Sequence, residues 1–358
     1  MNGGVFDFAV IGSSPLARLL AGLLAGVHGR RVAFVGESQA GYRLPRSIDL
    51  SVAPITRPES WFMLTEGVAE TLTLVGRIAR RGAWSRQDPI FFADGAAPIE
   101  ALSHMRHMAL GHGMAAEPAA PSLLGPGRAG VVLRDAVRLN RPVLEPALDL
   151  WLARQGVERV APGRIEIAPD GAAALSVDGG GIEARQAILA DHDAIISFLP
   201  LPQWPRLLRR QSFASILTTP TPPLAAPIML EINSGTILLQ QPEGGIAAIG
   251  PGDLAAFSGH LHGLLGRERQ VEQAGQTGFA VLATADGAPA LGRAAGTGAD
   301  IVAGMGGFGA FLAPALARWL AGAARAHEAE WFDARLVNRA AAGPPVADFV
   351  PPRQAGAP

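Results

Sequence analysis

The stretch FDFAVIGSSPLARLLAGLLAGVHGRRVAFVGE (residues 6–37) decides the fold class of this chain. A short apolar run stops at Gly12, apolar residues then recur at helical spacing, and a second strand-like run ends at Glu37. Strand, tight turn, helix and strand over this length are typical of one βαβ unit. The sequence therefore predicts an α/β protein whose first helix points its N-terminus at a ligand.

The turn of this unit, Gly12-Ser13-Ser14-Pro15-Leu16-Ala17, fits the dinucleotide pattern G-x-G-x-x-G with Ser14 at the second glycine and Ala17 at the third. The pattern serves a tight turn, close approach of the backbone to a pyrophosphate, and close helix–strand packing. Glu37 stands where an acidic residue accepts hydrogen bonds from a ribose, which argues against a 2′-phosphate. Gly12, Ser14, Pro15, Ala17 and Glu37 are predicted to bind a cofactor, and the alternative is a generic βαβ turn with a surface glutamate.

Composition excludes several classes of protein. Of the 358 residues, 49% are hydrophobic and 17% are charged, and the formal net charge is -1, which describes a soluble globular protein with no basic patch for nucleic acid. Cysteine is absent, so disulfides and thiolate chemistry are excluded. All 30 basic residues are arginine, which rules out a lysine Schiff base and a P-loop lysine.

The sequence carries no signal for a membrane or a metal. The N-terminus lacks a basic segment ahead of its apolar run, and no span is predicted, so we expect a cytoplasmic protein without a membrane partner. His104, His107 and His112 stand near one another, but no compact motif supplies a carboxylate ligand beside them. We therefore predict no metal site.

A second glycine-rich stretch lies near the C-terminus, where ADGAPALG (285–292) precedes ADIVAGMGGFGAFLAPALARWLA (299–321). Here the chain resembles FAD-dependent oxidoreductases of the D-amino-acid oxidase and glycine oxidase superfamily. In that superfamily a DG-x-P-x-x-G turn is followed by a strand, a glycine-rich loop and a helix against the flavin. The βαβ unit lies at the expected opposite end of the chain.

The resemblance implies FAD as cofactor and adds site residues. The backbone of the glycine-rich loop would approach the isoalloxazine, and the helix that follows would stabilise negative charge on its pyrimidine side. The implied contacts are Gly304, Gly306, Gly307, Phe308, Gly309 and Ala310, with Arg46 and Ser47 on the segment after Glu37. The alternative for these glycines is close helix packing without a ligand.

The resemblance also implies a Rossmann-like FAD-binding domain with a second, mixed antiparallel-sheet substrate domain. The first would comprise residues 1–55, 131–200 and 284–342, the second 56–130 and 201–283, and an extended tail 343–358. Turn signals predict a three-stranded meander that ends in a buried strand, 186–190, and several short antiparallel strands in 227–251. The Gly/Pro-rich passage 111–130 is expected on the surface as a lid or a loop.

The function implied is oxidation of a small amine, an amino-acid derivative or a related substrate by hydride transfer to the flavin. The Arg and Tyr that clamp a carboxylate in such oxidases have no clear counterpart, since the single tyrosine is Tyr42. The substrate-site candidates are Gln240, Gln241 and Arg293, and no catalytic residue is identified. Two alternatives stay open: a flavin monooxygenase, and a degenerate, non-catalytic flavoprotein-like subunit that serves a protein partner.

Overall fold

The computed structural model describes residues 5–38, 44–79, 81–177, 180–201, 204–266, 269, 271–296 and 298–339. Tyr42 and the tail predicted for 343–358 lie outside these residues. In chain order the strands are β1 (Phe6–Ile11), β2 (Val32–Val35), β3 (Trp84–Gln87), β4 (Ile90–Asp94), β5 (Ala116–Pro118), β6 (Arg128–Leu133), β7 (Ala136–Leu139), β8 (Glu158–Arg159), β9 (Arg164–Ile167), β10 (Ala173–Val177), β11 (Gly180–Leu189), β12 (Leu208–Thr218), β13 (Ile228–Glu231), β14 (Ile237–Gln240), β15 (Ile246–Pro251), β16 (Gln273–Thr284), β17 (Ala290–Arg293) and β18 (Asp300–Ala303).

The helices cover or connect these strands. They are α1 (Pro15–Gly26), α2 (Pro58–Ile78), α3 (Ala96–Gly111), α4 (Arg141–Arg154), α5 (His192–Phe198), α6 (Leu254–Leu265), α7 (Ala313–Leu320) and α8 (Ala326–Asp333). Short 3₁₀ helices span Pro121–Leu123 and Gly306–Leu312. None of the helices in the described ranges is both long and apolar enough to cross a bilayer.

The first sheet has the order β17-β18-β11-β1-β2-β8. Strand β1 pairs in parallel with both β2 and β11, and β18 continues the parallel set beside β11. Because α1 connects β1 to β2, the predicted βαβ unit is confirmed. Strands β9, β10 and β11 form the predicted antiparallel meander.

Helix α1 forms because its sequence meets both local and tertiary requirements. Pro15 occupies the first turn, where its missing N–H costs nothing, and the Ser14 hydroxyl accepts a hydrogen bond from Ala17 N at 3.2 Å. All residues from 15 to 24 are buried, and the helix packs against α4 and α7. A helix that is apolar on every face is buried all round.

The second sheet has the order β16-β12-β15-β14-β13-β4-β6-β5, and it contains the short antiparallel strands predicted in 227–251. Among the described strand pairs of this sheet, only β13–β4 is parallel. The passage 111–130 supplies β5 and the start of β6 to the edge of this sheet, so it is neither a lid nor a free loop. Strand β5 could not be predicted from an alternation of apolar and polar residues, because it has only three residues.

The two sheets draw on different parts of the chain. The first takes its strands from residues 6–35, 158–189 and 290–303, and the second takes its strands from 90–133 and 208–284. A mixed α/β architecture with one largely parallel and one largely antiparallel sheet follows, as predicted. The division into two domains at the boundaries given above stays a prediction.

Candidate functional site

The candidate site, called the crevice below, comprises two places: the carboxyl edge of the first sheet, where Gly12 follows β1 and Asp191 lies two residues beyond β11, and a cavity beside the glycine-rich loop. Strands that run in parallel end at the same edge, so these residues meet although 179 positions separate them. The Asp191 carboxylate accepts hydrogen bonds from Ser13 N at 2.6 Å and from Ser14 N at 3.2 Å. A side chain of the protein therefore holds the N-terminus of α1 as an anion would.

Gly12 explains how that carboxylate approaches so closely. A Cβ added at Gly12 would lie 2.9 Å from Asp191 Oδ2 and 3.0 Å from the Cβ of Ala17. The contact with Ala17 matches the helix–strand packing of the third position of the fingerprint, whereas the second position, Ser14, uses its hydroxyl to cap α1. The group that makes the approach in this structure is a carboxylate of the chain itself.

Asp191 also begins α5, since its Oδ1 accepts a hydrogen bond from Ala194 N at 2.9 Å. Burial raises the pKa of Asp191, and the donors Ala194 N and Ser13 N offset only part of that rise. The neighbouring His192 accepts a hydrogen bond at Nδ1 from Leu282 N, at 3.1 Å, and burial lowers its pKa. A neutral His192 thus ties α5 to β16.

Arg18 fixes the turn from the other side. Its side chain is fully buried, and its guanidinium donates to the main-chain oxygens of Ser13 and Glu37 and, at 3.0 Å, to the carboxylate of Asp149. This role of Arg18 was not predicted from the sequence, because an arginine inside an apolar run gives no local sign of its partners. Arg18 holds the α1 turn and the end of β2 in one arrangement.

A second ion pair lies at the start of α4. Arg141 donates from Nε to Asp49 Oδ2 at 2.5 Å and from Nη2 to Ser47 Oγ at 2.8 Å. The Asp49 side chain is 7% exposed and that of Arg141 is 16% exposed. This pair anchors the segment that begins at Ser47, one of the predicted cofactor residues, against α4.

The same segment forms one wall of a cavity of about 260 Å³. The opposite walls are the glycine-rich loop and the strands β13 and β14, which contribute Leu230 and Ile237. None of the described lining residues is charged. They are Ile48, Leu50, Val52, Ala53, Pro54, Ile55, Leu230, Ile237, Gly287, Pro289, Gly304, Gly306, Gly307 and Phe308.

The glycine-rich loop serves two structural purposes. Gly304 and Gly306 have φ values of 69° and 52°, a region that favours glycine. Gly307 packs tightly, because an added Cβ would lie 2.8 Å from Ile48 O, and its own carbonyl accepts a hydrogen bond from Leu50 N at 2.9 Å. The loop is thus close to the 48–50 segment and open to the cavity.

The other predicted residues of this loop point elsewhere. An added Cβ at Gly309 would lie 2.8 Å from the Cβ of Met305, and Ala310 is buried; neither lines the cavity. The residues that follow the loop form a 3₁₀ helix, and α7 begins only at Ala313. The α-helix N-terminus expected directly after the loop therefore begins four residues beyond Gly309.

The substrate-site candidates lie away from this cavity. Gln240 accepts from Leu224 N at 2.8 Å and donates to Gly245 O at 3.0 Å. Gln241 donates to Leu239 O at 3.3 Å, and Arg293 donates to the Gln186 side chain in the first sheet. None of the three contributes to the described lining.

The remaining cofactor candidates lie at the rim of the crevice. Glu37 is exposed and donates its backbone N–H to Ser13 Oγ at 3.1 Å. Arg46 pairs with Asp193 at 3.3 Å and lies over the Phe279 ring, 5.4 Å from its centroid. Within the residues that the structure describes, no group of three or more metal-ligating side chains occurs.

The residues present fit the flavin ring of FAD, but its diphosphate would meet the negative charge of a carboxylate of the chain at the α1 turn. The N–H groups of Ser13 and Ser14 already hold an anion, and glycine leaves room for it, which is what a diphosphate requires. The cavity between the glycine-rich loop and residues 48–55 suits a flat apolar ring. The diphosphate and the Asp191 carboxylate, however, need the same donors.

Comparison with known proteins supports the fold. No family model and no curated protein matches the chain. Among solved structures, iminodiacetate oxidase from Chelativorans sp. BNC1 is 18% identical with a TM-score of 0.63, covering 88% of this chain and 95% of its own. An unusual amino acid oxidase essential for nikkomycin biosynthesis, NikD, is 15% identical with a TM-score of 0.67, covering 90% and 95%. Glycine oxidase from Geobacillus kaustophilus is 17% identical with a TM-score of 0.62, covering 88% and 93%. At these identities the likeness establishes a shared fold over nearly the whole chain.

Proposed function

We propose that this chain, which has the fold of iminodiacetate oxidase and glycine oxidase, is an FAD-dependent oxidoreductase that oxidises a small apolar amine. The observation that carries the proposal is the uncharged cavity that the glycine-rich loop shares with residues 48–55 and with β13 and β14. Pockets of this kind, at the meeting of two sheets, are the usual place for a ligand. The anion-holding turn of α1 at the other end of the crevice supports a dinucleotide.

With the flavin ring against the glycine-rich loop and residues 48–55, the wall formed by β13 and β14 would face the substrate and select its class. The described side chains of that wall, Leu230 and Ile237, are hydrocarbon. A carboxylate placed among them would lose its hydration without gaining an ion pair. A free amino acid is therefore a poor substrate, and an amine with hydrocarbon substituents is a good one.

The same lining supports the chemistry. Burial away from water favours the neutral amine over the ammonium, and only the neutral amine has the lone pair that assists loss of hydride from the adjacent carbon. FAD, when bound, would supply the acceptor for that hydride. The chain would orient the substrate through Leu230 and Ile237, whose hydrocarbon surface disfavours water beside the reacting carbon.

A second candidate function is a non-catalytic subunit that shares this fold. One observation favours it: Asp191 holds the donors that a diphosphate needs. In that case the chain would take up no FAD, and its cavity would serve packing or a partner.

The test is anaerobic reduction of the FAD-loaded full chain. Small alkylamines and aralkylamines are expected to bleach the flavin absorbance, whereas glycine and alanine are not. Bleaching by amino acids alone, or by none of these compounds, would contradict the proposal.

A matched pair of variants sharpens that test. Ile237→Arg places a guanidinium in the cavity wall and is expected to shift the preference towards carboxylate-bearing substrates, by about tenfold or more. Leu150→Arg adds the same charge at a side chain that is 70% exposed on α4, and it should leave the preference unchanged.

A further inference from the structure

The Asp191 carboxylate is the resident anion of the α1 turn. Its Oδ2 receives two main-chain N–H groups, from Ser13 and Ser14, and its Oδ1 receives a third from Ala194. The contact with Gly12 is so close that a methyl group there would collide with Oδ2. No space for a second anion remains between Gly12 and this carboxylate.

Among the described contacts, no cation forms a direct ion pair with the Asp191 carboxylate. Arg18 pairs with Asp149 and Arg141 pairs with Asp49, so neither is the direct partner of Asp191. The carboxylate is therefore stabilised by backbone dipoles, the kind of contact that a diphosphate would also use. Two anions at those donors repel each other strongly in a partly buried crevice.

We propose that Asp191 is a built-in competitor of the cofactor: its carboxylate occupies the diphosphate position at the N-terminus of α1, and FAD binds only when that side chain leaves. This inference rests on the proposed function, since it assumes that FAD is the ligand of the crevice. It makes Asp191 a residue that sets the affinity for the cofactor. Displacement also removes the cap of α5, so loading of the dinucleotide loosens the start of that helix.

The test compares FAD affinity across three full-length variants, measured by quenching of flavin fluorescence and by the rise in melting temperature on adding FAD. Asp191→Asn keeps a side-chain oxygen that can cap α5 but removes the charge, and Asp191→Ser is a second neutral cap should the first fold poorly. Asp253→Asn is the control, because it makes the same change at the exposed N-cap of α6, where Asp253 Oδ1 accepts a hydrogen bond from Ala256 N at 2.8 Å.

We expect both Asp191 variants to bind FAD at least about tenfold more tightly than the wild type, and Asp253→Asn to bind as the wild type does. ADP, which carries the diphosphate without the flavin ring, should show the same ranking. Equal or weaker binding by the Asp191 variants would overturn the inference while leaving the proposed function standing. Absence of FAD binding in every variant would overturn both. Tighter binding without reduction by any amine would uphold the inference and overturn the proposed function.

Discussion

The two parts of the crevice are built from opposite kinds of group. The α1 turn and the start of α4 carry charged groups, namely Asp191 at the turn itself, the pair Arg18–Asp149 and the pair Arg141–Asp49. At the glycine-rich loop the described lining is hydrocarbon. Both ends bring bare backbone close to something else, but Gly12 approaches a carboxylate and Gly307 approaches the carbonyl of Ile48.

This difference separates two kinds of recognition. Backbone N–H groups at a helix N-terminus hold any anion of the right size, so the α1 turn gives affinity with little selectivity. A cavity without charge selects by shape and by the cost of burying a polar group. Cofactor binding therefore depends on the charged end, and choice of substrate depends on the apolar end.

Removal of Asp49 tests how far the charged end depends on its ion pairs. Asp49→Ala leaves the largely buried Arg141 without its carboxylate, and we expect a loss of about 3 to 5 kcal/mol in the free energy of unfolding. Urea denaturation measures it. Glu166→Ala, which removes one partner of an exposed pair with Arg164, should change stability little; equal losses in the two variants would show that the crevice pair has no special weight.

Asp300 on β18 is a second carboxylate whose pKa is raised by burial. Burial raises the pKa of Asp300 from its usual value of 3.8 to about 6, and Arg293 offsets part of the rise. A carboxyl group with a raised pKa in the folded state contributes stability below pH 3.8, and that contribution is lost as the pH rises through about 6. Asp300→Asn should therefore stabilise the protein at pH 8 by on the order of 3 kcal/mol and have little effect at low pH.

Denaturation from pH 4 to 8 checks this slope, with the exposed Glu330→Gln as control. The prediction would be contradicted if the difference in the free energy of unfolding between the wild type and Asp300→Asn stayed constant over this pH range.

Gly307 tests the packing role of the loop. Gly307→Ala adds a methyl group 2.8 Å from Ile48 O, and we expect a destabilisation of about 1 to 3 kcal/mol, because backbone rather than a flexible side chain must move. The matched variant Gly76→Ala lies in α2, where no atom is within 4 Å of the added Cβ, and it should stabilise by up to about 1 kcal/mol. Thermal melting of both variants decides whether the loop is as tightly packed as described.

The smallest effect is expected at the rim. Arg46→Gln breaks a pair with Asp193 whose side chains are 38% and 49% exposed, and such pairs contribute under about 1 kcal/mol. A larger loss of stability in urea denaturation would place Arg46 inside the structural core of the crevice instead of at its edge.

Local patterns predicted the elements that carry the crevice. Residues 6–37 have strand and helix periodicities with a glycine turn between them, and the meander and the strands of 227–251 are separated by clear turn residues. The glycines at 304, 306 and 307 signalled a close approach, and the structure places all three at the cavity. These features depend on neighbours in sequence, so the sequence was sufficient.

Local sequence patterns could not predict the charged contacts. Asp191 meets Ser13 across 178 positions, and Arg141 meets Asp49 across 92; nothing near either residue identifies its partner. One signal was available for Asp191: it lies just beyond a predicted buried strand, and parallel strands end at the same edge as the glycine turn. Gln240, Gln241 and Arg293 were predicted from their side-chain chemistry and their places in the resemblance, and the structure shows their side chains hydrogen-bonded to other groups of the chain and outside the cavity lining.

The most direct test of the account is the visible absorption spectrum of the full chain after incubation with excess FAD and removal of the unbound cofactor. We predict flavin bands that correspond to one FAD per chain in Asp191→Asn, with lower retention in the wild type. A colourless protein in both cases would contradict the claim that this crevice is a dinucleotide site.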